Sequence, residues 1–444
     1  MTEDDIAGRF SRRTVLKGTA AAGVAGLAGC LGGGGGSNDG NGSGGSGGGG
    51  SGSNALEIQH WWTGGDGSAA IEALLAGFEE KYPDVTVNPN PVSGGAGENL
   101  HAVIKKRVLN DNPPSTWQAW PGANLTPYVE ADKLHDIGES VWGENDMKKA
   151  YLDGPKQAAK PGGSYVTVPL NIHRLNNLFY NVSVVEDAGV DPSSIGKPSD
   201  LVAAMKKAED AGYVGMAQQT KSAWSTGQLW AQVLLGESDP ETYAAIMEGK
   251  AKENADAVKN ALSVVKEYSQ YFNRDAGSIG WQDANKLIIN GKAAFFHQGD
   301  WAAGMYRAQD GFEFESDWGH VPFPGTDGAY ALNMDSFPFP KNNPSPETTK
   351  KFLRYVGSVD AQKRFNPKKG SIPPRTDVPK DAFGPFLKRQ MEDFANSTAQ
   401  PLSIQHGLAV PPKALTAFGS AMSTFISGYD VEQAQGAIVE ALAR

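Results

Sequence analysis

Cysteine is all but missing from this chain of 444 residues, which contains only one, Cys30. The rest of the sequence therefore holds no disulfide and no thiolate metal centre, and its stability must come from packing. Long apolar runs are missing too: nothing beyond residue 53 approaches the length that crosses a membrane. There is no basic excess, because 40 Lys and Arg face 50 Asp and Glu, interspersed, for a net charge of −10. That balance leaves no electrostatic footprint for nucleic acid. Catalytic signatures are absent from the body, which has no His-Glu-x-x-His, no Walker A loop and no nucleophile elbow between a strand and a helix. Gly44-Gly45-Ser46-Gly47-Gly48 matches the elbow in letters alone, since neither strand nor helix flanks it. The 7 histidines are scattered without ligand spacing. The expectation is a protein that is not an enzyme and carries no metal or cofactor, although plentiful carboxylates would also suit a glycosidase pair.

What is present begins at the N-terminus. Ser11-Arg12-Arg13-Thr14-Val15-Leu16-Lys17 is a charged segment of the twin-arginine kind, and Gly18 to Gly29 is too short and too weakly apolar to span a bilayer. It reads as an export address. Leu27-Ala28-Gly29-Cys30 has the form of a lipobox, so residues 1–30 are expected to be a lipoprotein signal segment and Cys30 the lipid attachment site on the outer face of the membrane. Residues 31–53 are almost pure Gly and Ser and cannot bury surface. They read as a solvated tether with a reach of roughly 25 Å, since end-to-end distance grows as about 5 to 6 Å times the square root of residue number.

The remaining residues exceed what one compact core serves, so two lobes are expected. Leu56 to Trp62 is β-prone, Ser68 is a candidate helix N-cap, and Ile71, Leu74, Leu75 and Phe78 follow at helical spacing. Pro83 ends that helix before a strand at Val85-Thr86-Val87. This β-α-β order implies right-handed crossovers and a mainly parallel sheet covered by helices. A glycine turn, Gly94-Gly95-Ala96-Gly97, leads into a second amphipathic helix through Leu100, Val103, Ile104 and Val108. Small residues there allow a close backbone approach. Tyr165 to His173 reads as an extended crossover bent at Pro169. A second α/β region follows, with a helix capped at Ser199, a long helix through Val258 and Leu262, a helix from Trp281 to Gly291 and a strand at Ala293–Phe296. Another extended segment, from Ala331 to Phe337, and terminal helices complete it.

Tryptophan is the better signal for chemistry. Trp61, Trp62, Trp120, Trp224, Trp281 and Trp301 sit near turns and strand ends. An indole beside polar side chains fits the C–H face of a pyranose, while carboxylate, amide, ammonium and imidazole groups grip its hydroxyls. Core packing is the plainer role for any single tryptophan. Adjacent strand residues face opposite sides, however, so one of Trp61 and Trp62 can pack while the other lines a cleft at the carboxyl end of a strand.

Gln59-His60-Trp61-Trp62-Thr63-Gly64-Gly65, Ser93 to Asn99, Asn112 to Gln118, Val168 to Arg174, Gly291 to Phe295 with Gly299 to Ala302, and Phe365 to Ile372 together carry a family likeness. In these stretches the chain resembles an extracellular solute-binding protein of an ABC sugar importer, of the maltodextrin-binding-like family and nearest its glucose and monosaccharide branch. The resemblance implies a two-lobe, periplasmic-binding-protein-like (type II) α/β flytrap, each lobe a mixed, mainly parallel sheet flanked by helices. Lobe 1 would take residues 54–170 and about 328–378; lobe 2 would take 171–327 and about 379–444. It also implies a monosaccharide ligand, glucose or a similar hexose, membrane permease subunits as partners, and a monomer. The sugar-site positions it implies are Trp61, Trp62, Asp66, Gln118, Trp120, Trp281, Trp301, Asn333, Asp335, Lys369 and His406. Asp66 stands where that branch carries a longer glutamate, and Trp120 where relatives carry histidine or lysine. Apart from the family, Asp335 with Lys369 would read as a structural ion pair and His406 as a core histidine.

Overall fold

The computed structural model describes residues 54–94 and 97–444. The export segment, Cys30, the tether and the centre of the Gly94–Gly97 turn lie outside those residues. Eleven strands are present among the described residues: β1 Ala55–His60, β2 Thr86–Pro91, β3 Thr116–Trp117, β4 Thr167–Pro169, β5 His173–Arg174, β6 Asn177–Asn181, β7 Val214–Ala217, β8 Ala293–Gln298, β9 Trp318–Pro322, β10 Leu332–Asn333 and β11 Ser336–Pro338.

The first sheet has the order β2-β1-β3 and is parallel throughout. Pro89 and Pro91 are tolerated because β2 is the edge strand, where a missing N–H breaks no ladder. Between β1 and β2 runs the helix Gly65–Lys81, which buries Ile71, Leu74, Leu75 and Phe78 along one face. Each such side chain withdrawn from water contributes about 1.5 to 3 kcal/mol. This helix begins three residues before the expected cap. Gly64 is its N-cap, while Ser68 lies inside the first turn and donates its hydroxyl to Glu72 at 2.8 Å. The helix Val359–Lys369 packs alongside, and Phe365 joins Leu74, Phe78, Phe337 and Phe352 in the first core.

The second sheet has the order β7-β8-β6-β9. Only β7 and β8 run parallel; β6 is antiparallel to both its neighbours. This sheet is therefore mixed with antiparallel pairs in the majority, in contrast to the parallel first sheet. Its core holds Trp230, Leu234, Leu262, Val265, Phe295, Phe418 and Phe425. The helix expected to be capped at Ser199 instead starts at Leu201, after a short 3-10 turn Pro198–Asp200. Ser199 donates its backbone N–H to Glu237 at 2.7 Å and caps nothing.

Two crossings run side by side between the sheets. β4 pairs antiparallel with β11, and β5 pairs antiparallel with β10. The chain thus leaves the first lobe through Leu170-Asn171-Ile172 and returns through Met334-Asp335. Leu170 donates its N–H to the Asp335 carbonyl at 2.9 Å, and the Asp335 N–H donates to Asn171 Oδ1 at 2.7 Å. A third contact joins Ile172 to Ile372. No helix among the described residues is long and apolar enough to cross a membrane.

Candidate functional site

The carboxyl end of β1 delivers Trp61 and Trp62 in opposite directions, as strand alternation requires. Trp62 goes inward. Its ring packs against Phe337 and Phe365 at centroid distances of 6.1 and 5.0 Å, within the first core. Trp61 faces the other way, meeting His101 at 5.6 Å and Trp120 at 5.3 Å, both edge-on. His101 comes from the first turn of the helix Glu98–Leu109, and Trp120 follows β3.

From Trp120 the rings continue into the second lobe. Trp120 meets His406 edge-on at 5.1 Å. His406 in turn meets Trp224 at 5.8 Å and Trp301 at 5.9 Å, and Trp224 lies 6.0 Å from Trp301. Trp224 opens the helix Ala223–Glu237 with Ala223, and Trp301 follows β8. Six rings therefore form a continuous aromatic wall spanning both lobes. Trp281 is not part of it. It opens the helix Trp281–Ile289 and packs half-buried against the cores of the second lobe; among the described residues no ring contact joins it to the other tryptophans.

Beneath the wall runs a chain of polar groups. Gln118, fully buried, accepts the Trp61 N–H at 3.0 Å and donates through Nε2 to Asp335 Oδ1 at 2.9 Å. Asn171 Nδ2 donates to Asp335 Oδ2 at 2.9 Å. Because Asn171 Oδ1 is held by the Asp335 N–H, the amide's orientation is fixed and its Nδ2 also faces His173 Nε2 at 3.1 Å. His173 Nε2 must then accept, so Nδ1 carries the proton and donates to Asp300. Asp300 also accepts the Arg174 N–H at 3.0 Å. The chain links the backbone of Trp61 in one lobe to the residue preceding Trp301 in the other.

The charges of the site are internally balanced. Lys369 donates to Asp66 at 2.6 Å, each side chain 8% exposed. Lys369 thus pairs with Asp66 and not with Asp335, whose carboxylate is occupied by the two amides. Lys369 also lies over the Trp301 ring at 5.8 Å. The histidines are held neutral. Burial pushes His406 down to about 3, with His173 acting in the same direction, and burial alone pushes His101 down to about 4. Burial likewise depresses His173 to about 3 and raises Asp300 above the usual carboxylate range.

Three polar atoms in this region are buried without any partner: His101 Nε2, Trp224 Nε1 and Asn333 Oδ1. Asn333 stands opposite His173 in the pairing of β10 with β5. The three are among nineteen buried side-chain polar atoms without a partner among the described residues, and His101 and Trp224 are set apart from the others by belonging to the ring wall. Together they offer a bound molecule hydrogen-bonding groups within an aromatic enclosure. Sequence reasoning missed His101 altogether and gave no site role to Asn171, His173 or Asp300, while Trp224 was singled out as a candidate indole but not placed among the family's site positions. The available signal was a histidine in the first turn of an otherwise aliphatic helix face, directly after the glycine turn.

Residues 61–363 match the family of bacterial extracellular solute-binding proteins. The chain is 40% identical over 393 residues to the xylose/arabinose-binding protein XacG of Haloferax volcanii, covering 87% of this chain and 84% of the relative. It is 36% identical over 388 residues to the uncharacterized ABC transporter extracellular-binding protein PH1214 of Pyrococcus horikoshii, covering 87% of each. Among solved structures, it resembles the bacterial solute receptor AcbH, described as having an exclusive preference for β-D-galactopyranose. That match has a TM-score of 0.75 at 19% identity over 87% of this chain and 97% of the receptor. A family match across most of the chain agrees with two α/β lobes that face each other across a shared wall of rings. The chain belongs to the bacterial extracellular solute-binding proteins, a family that binds solutes and does not transform them.

Proposed function

We propose that this protein is the substrate-binding lipoprotein of an ABC importer and captures a neutral monosaccharide between its lobes for delivery to a membrane permease. The observation that carries this reading is the set of partnerless polar atoms, His101 Nε2, Trp224 Nε1 and Asn333 Oδ1, set among the rings of Trp61, Trp120, Trp301 and His406. Rings cover the apolar faces of a pyranose and the orphan atoms take its hydroxyls. The charges disfavour an anion. Lys369 is already paired with Asp66, and Asp335 is bonded by two neutral amides, so an anionic sugar meets no unpaired ammonium there.

One sugar ring is favoured over a longer chain, because the Trp120–His406 contact closes the aromatic wall from lobe to lobe. The ligand is glucose or a similar hexose; the likeness to a xylose/arabinose-binding protein makes a pentose the second reading. The sugar site is taken to comprise Trp61, Asp66, His101, Gln118, Trp120, Trp224, Trp301, Asn333, Asp335, Lys369 and His406, with Trp62 and Trp281 supporting it from the cores. Lobe 1 takes residues 54–170 with about 334–378 and lobe 2 takes 171–333 with about 379–444, and the lobes hinge at the paired crossings. The return crossing falls later than the expected bound near 328, because β10 pairs with β5 and because Ala329 and Leu332 bridge to Ala399 and Leu402. The protein acts as a monomer, exported by the twin-arginine route and held by lipid on Cys30. Cys30→Ser is expected to move it from the membrane fraction to the soluble fraction; retention on the membrane would remove the anchor from this reading.

The central test is thermal shift against a panel of neutral hexoses, pentoses, maltodextrins, uronates and amino sugars. A ligand at 1,000 times its Kd stabilises the folded state by about 4 kcal/mol. A neutral monosaccharide is expected to raise Tm by several degrees while uronates leave it unchanged. If only oligosaccharides, or no sugar at all, raise Tm, the assignment fails.

A further inference from the structure

Beside the ring wall, at its Trp301 end, the two lobes touch at a second place, where two helix ends of the first lobe meet. The helix Val359–Lys369 ends there and the helix Gly65–Lys81 begins there, with the Lys369–Asp66 pair joining the two ends. The last carbonyls of a helix lack intrahelical partners and carry its negative dipole end. Asn366 O is taken by the N–H groups of Gly370 and Ser371. Pro367 O is instead met from the other lobe: Arg307 donates to it through Nη1 at 2.9 Å. Arg307 is the last residue of the helix Ala302–Arg307, which follows Trp301, and its Nε is oriented by the Ala303 carbonyl at 3.2 Å.

Two glycines make this approach sterically possible. A Cβ on Gly304 would lie 2.9 Å from Asp66 Cβ, and one on Gly370 would lie 3.1 Å from the Asp300 carbonyl and 3.2 Å from Arg307 Nη2. The Gly304 backbone therefore sits against the Asp66 side chain, where a methyl would force a shift, and the Gly370 backbone against the Asp300 carbonyl, where a methyl would fit only if its neighbours gave by a few tenths of an ångström.

We propose that Arg307 is a positioning residue that latches the closed state by bonding the exposed C-terminal carbonyl of Val359–Lys369, and that Gly304 and Gly370 supply the clearance for it. This inference rests on the solute-binding reading above. Arg307 contacts no ligand; it acts through the population of the closed form, which sets apparent affinity and the lifetime of the complex. In the open form both the guanidinium and the Pro367 carbonyl return to water, so the latch biases closure without locking it.

The test uses the full chain in a Cys30→Ser background, with one spin label on the outer face of each lobe, and measures the interlobe distance distribution with and without sugar. Wild type is expected to show a short-distance population that shrinks in Arg307→Ala and is lost in Gly304→Ala, where the added methyl wedges against Asp66. Alanine is also the better helix former, so that second variant keeps its fold. In stopped-flow tryptophan fluorescence with the monosaccharide that raises Tm most, the dissociation rate is expected to rise about tenfold in Arg307→Ala with the association rate nearly unchanged. Arg307→Lys, which keeps the charge but not the fixed fork, should fall between the two. Unchanged distances and rates in both alanine variants would overturn the latch, as would the absence of a short-distance population in wild type. A wild type that closes but takes no sugar would count against the solute reading alone, because the distances are read without ligand.

Discussion

Trp120→Ala is expected to weaken sugar binding at least a hundredfold. The ring is 5% exposed and makes edge-on contacts with Trp61, His101 and His406, and among the described residues its contact with His406 joins the aromatic groups of the two lobes. Each aromatic contact contributes about 0.5 to 1.5 kcal/mol beyond the area it buries. Truncation also leaves a cavity, and removing a buried tryptophan costs about 3 to 5 kcal/mol. The loss falls on both stability and closure, and the two can be separated. Binding measured by calorimetry well below the melting temperature reports the site, while the melting temperature reports the core. Trp120→Phe keeps one ring and should recover much of the affinity. Unchanged affinity in the alanine variant would show that the ligand lies elsewhere.

The second large effect concerns acid. His60 and His101 are depressed to about 4 and His297 and His406 to about 3, in each case chiefly by burial; His320 lies well below its ordinary value for the same reason. A histidine whose folded pKa is depressed takes up its proton first in the unfolded chain. Its stabilising contribution is complete above the unfolded value near 6.5 and is lost as pH falls from there towards the folded value. Between pH 7 and pH 5 each such imidazole removes about 2 kcal/mol. His173, also depressed to about 3 chiefly by burial, acts with the same sign, so the losses accumulate as pH falls. Asp300, raised by burial, works in the opposite direction, but it is one group against six. Chemical denaturation at pH 7.5, 6 and 5 should therefore show the midpoint falling steeply across that range. A midpoint that stays level to pH 5 would mean that these imidazoles reach water in the native state.

Local features of the fold were legible because they are written in neighbouring residues. The apolar spacing of Ile71, Leu74, Leu75 and Phe78 specifies a helix whichever partner it later meets, and Pro83 ends that pattern. Chain length led to two lobes, and the extended runs bent at Pro169 and leading up to Phe337 overlap the segments that pair as β4 with β11. What was not legible depends on partners far apart in sequence. Asp66 and Lys369 are 303 residues apart, and Gln118 and Asp335 are 217 apart. No periodicity reports that Lys369 would choose Asp66 over Asp335. The direction of β6 against β8 escaped for a similar reason, because an extended run of apolar residues does not state which way its neighbour points. His101 was hidden by its helix, where one polar residue on an apolar face looks like tolerance until Trp61 and Trp120 are seen beside it.

The packing of Val359–Lys369 against Gly65–Lys81 also bears on the time at which this protein can become itself. The first core needs Phe337, Phe352 and Phe365, so its N-terminal part must wait, incomplete, until those residues have left the ribosome. The intervening second sheet, β6 to β9, is built from residues 177–322 and can assemble sooner. The core behind that sheet in turn needs Phe418 and Phe425, so neither lobe is complete until most of the chain has been made. Contacts so distant in sequence slow folding and leave apolar surface open meanwhile. A nascent chain of this design spends its vulnerable interval with its N-terminal half waiting, and mutations in Val359–Lys369 should show themselves first as poor yield and only afterwards as poor binding.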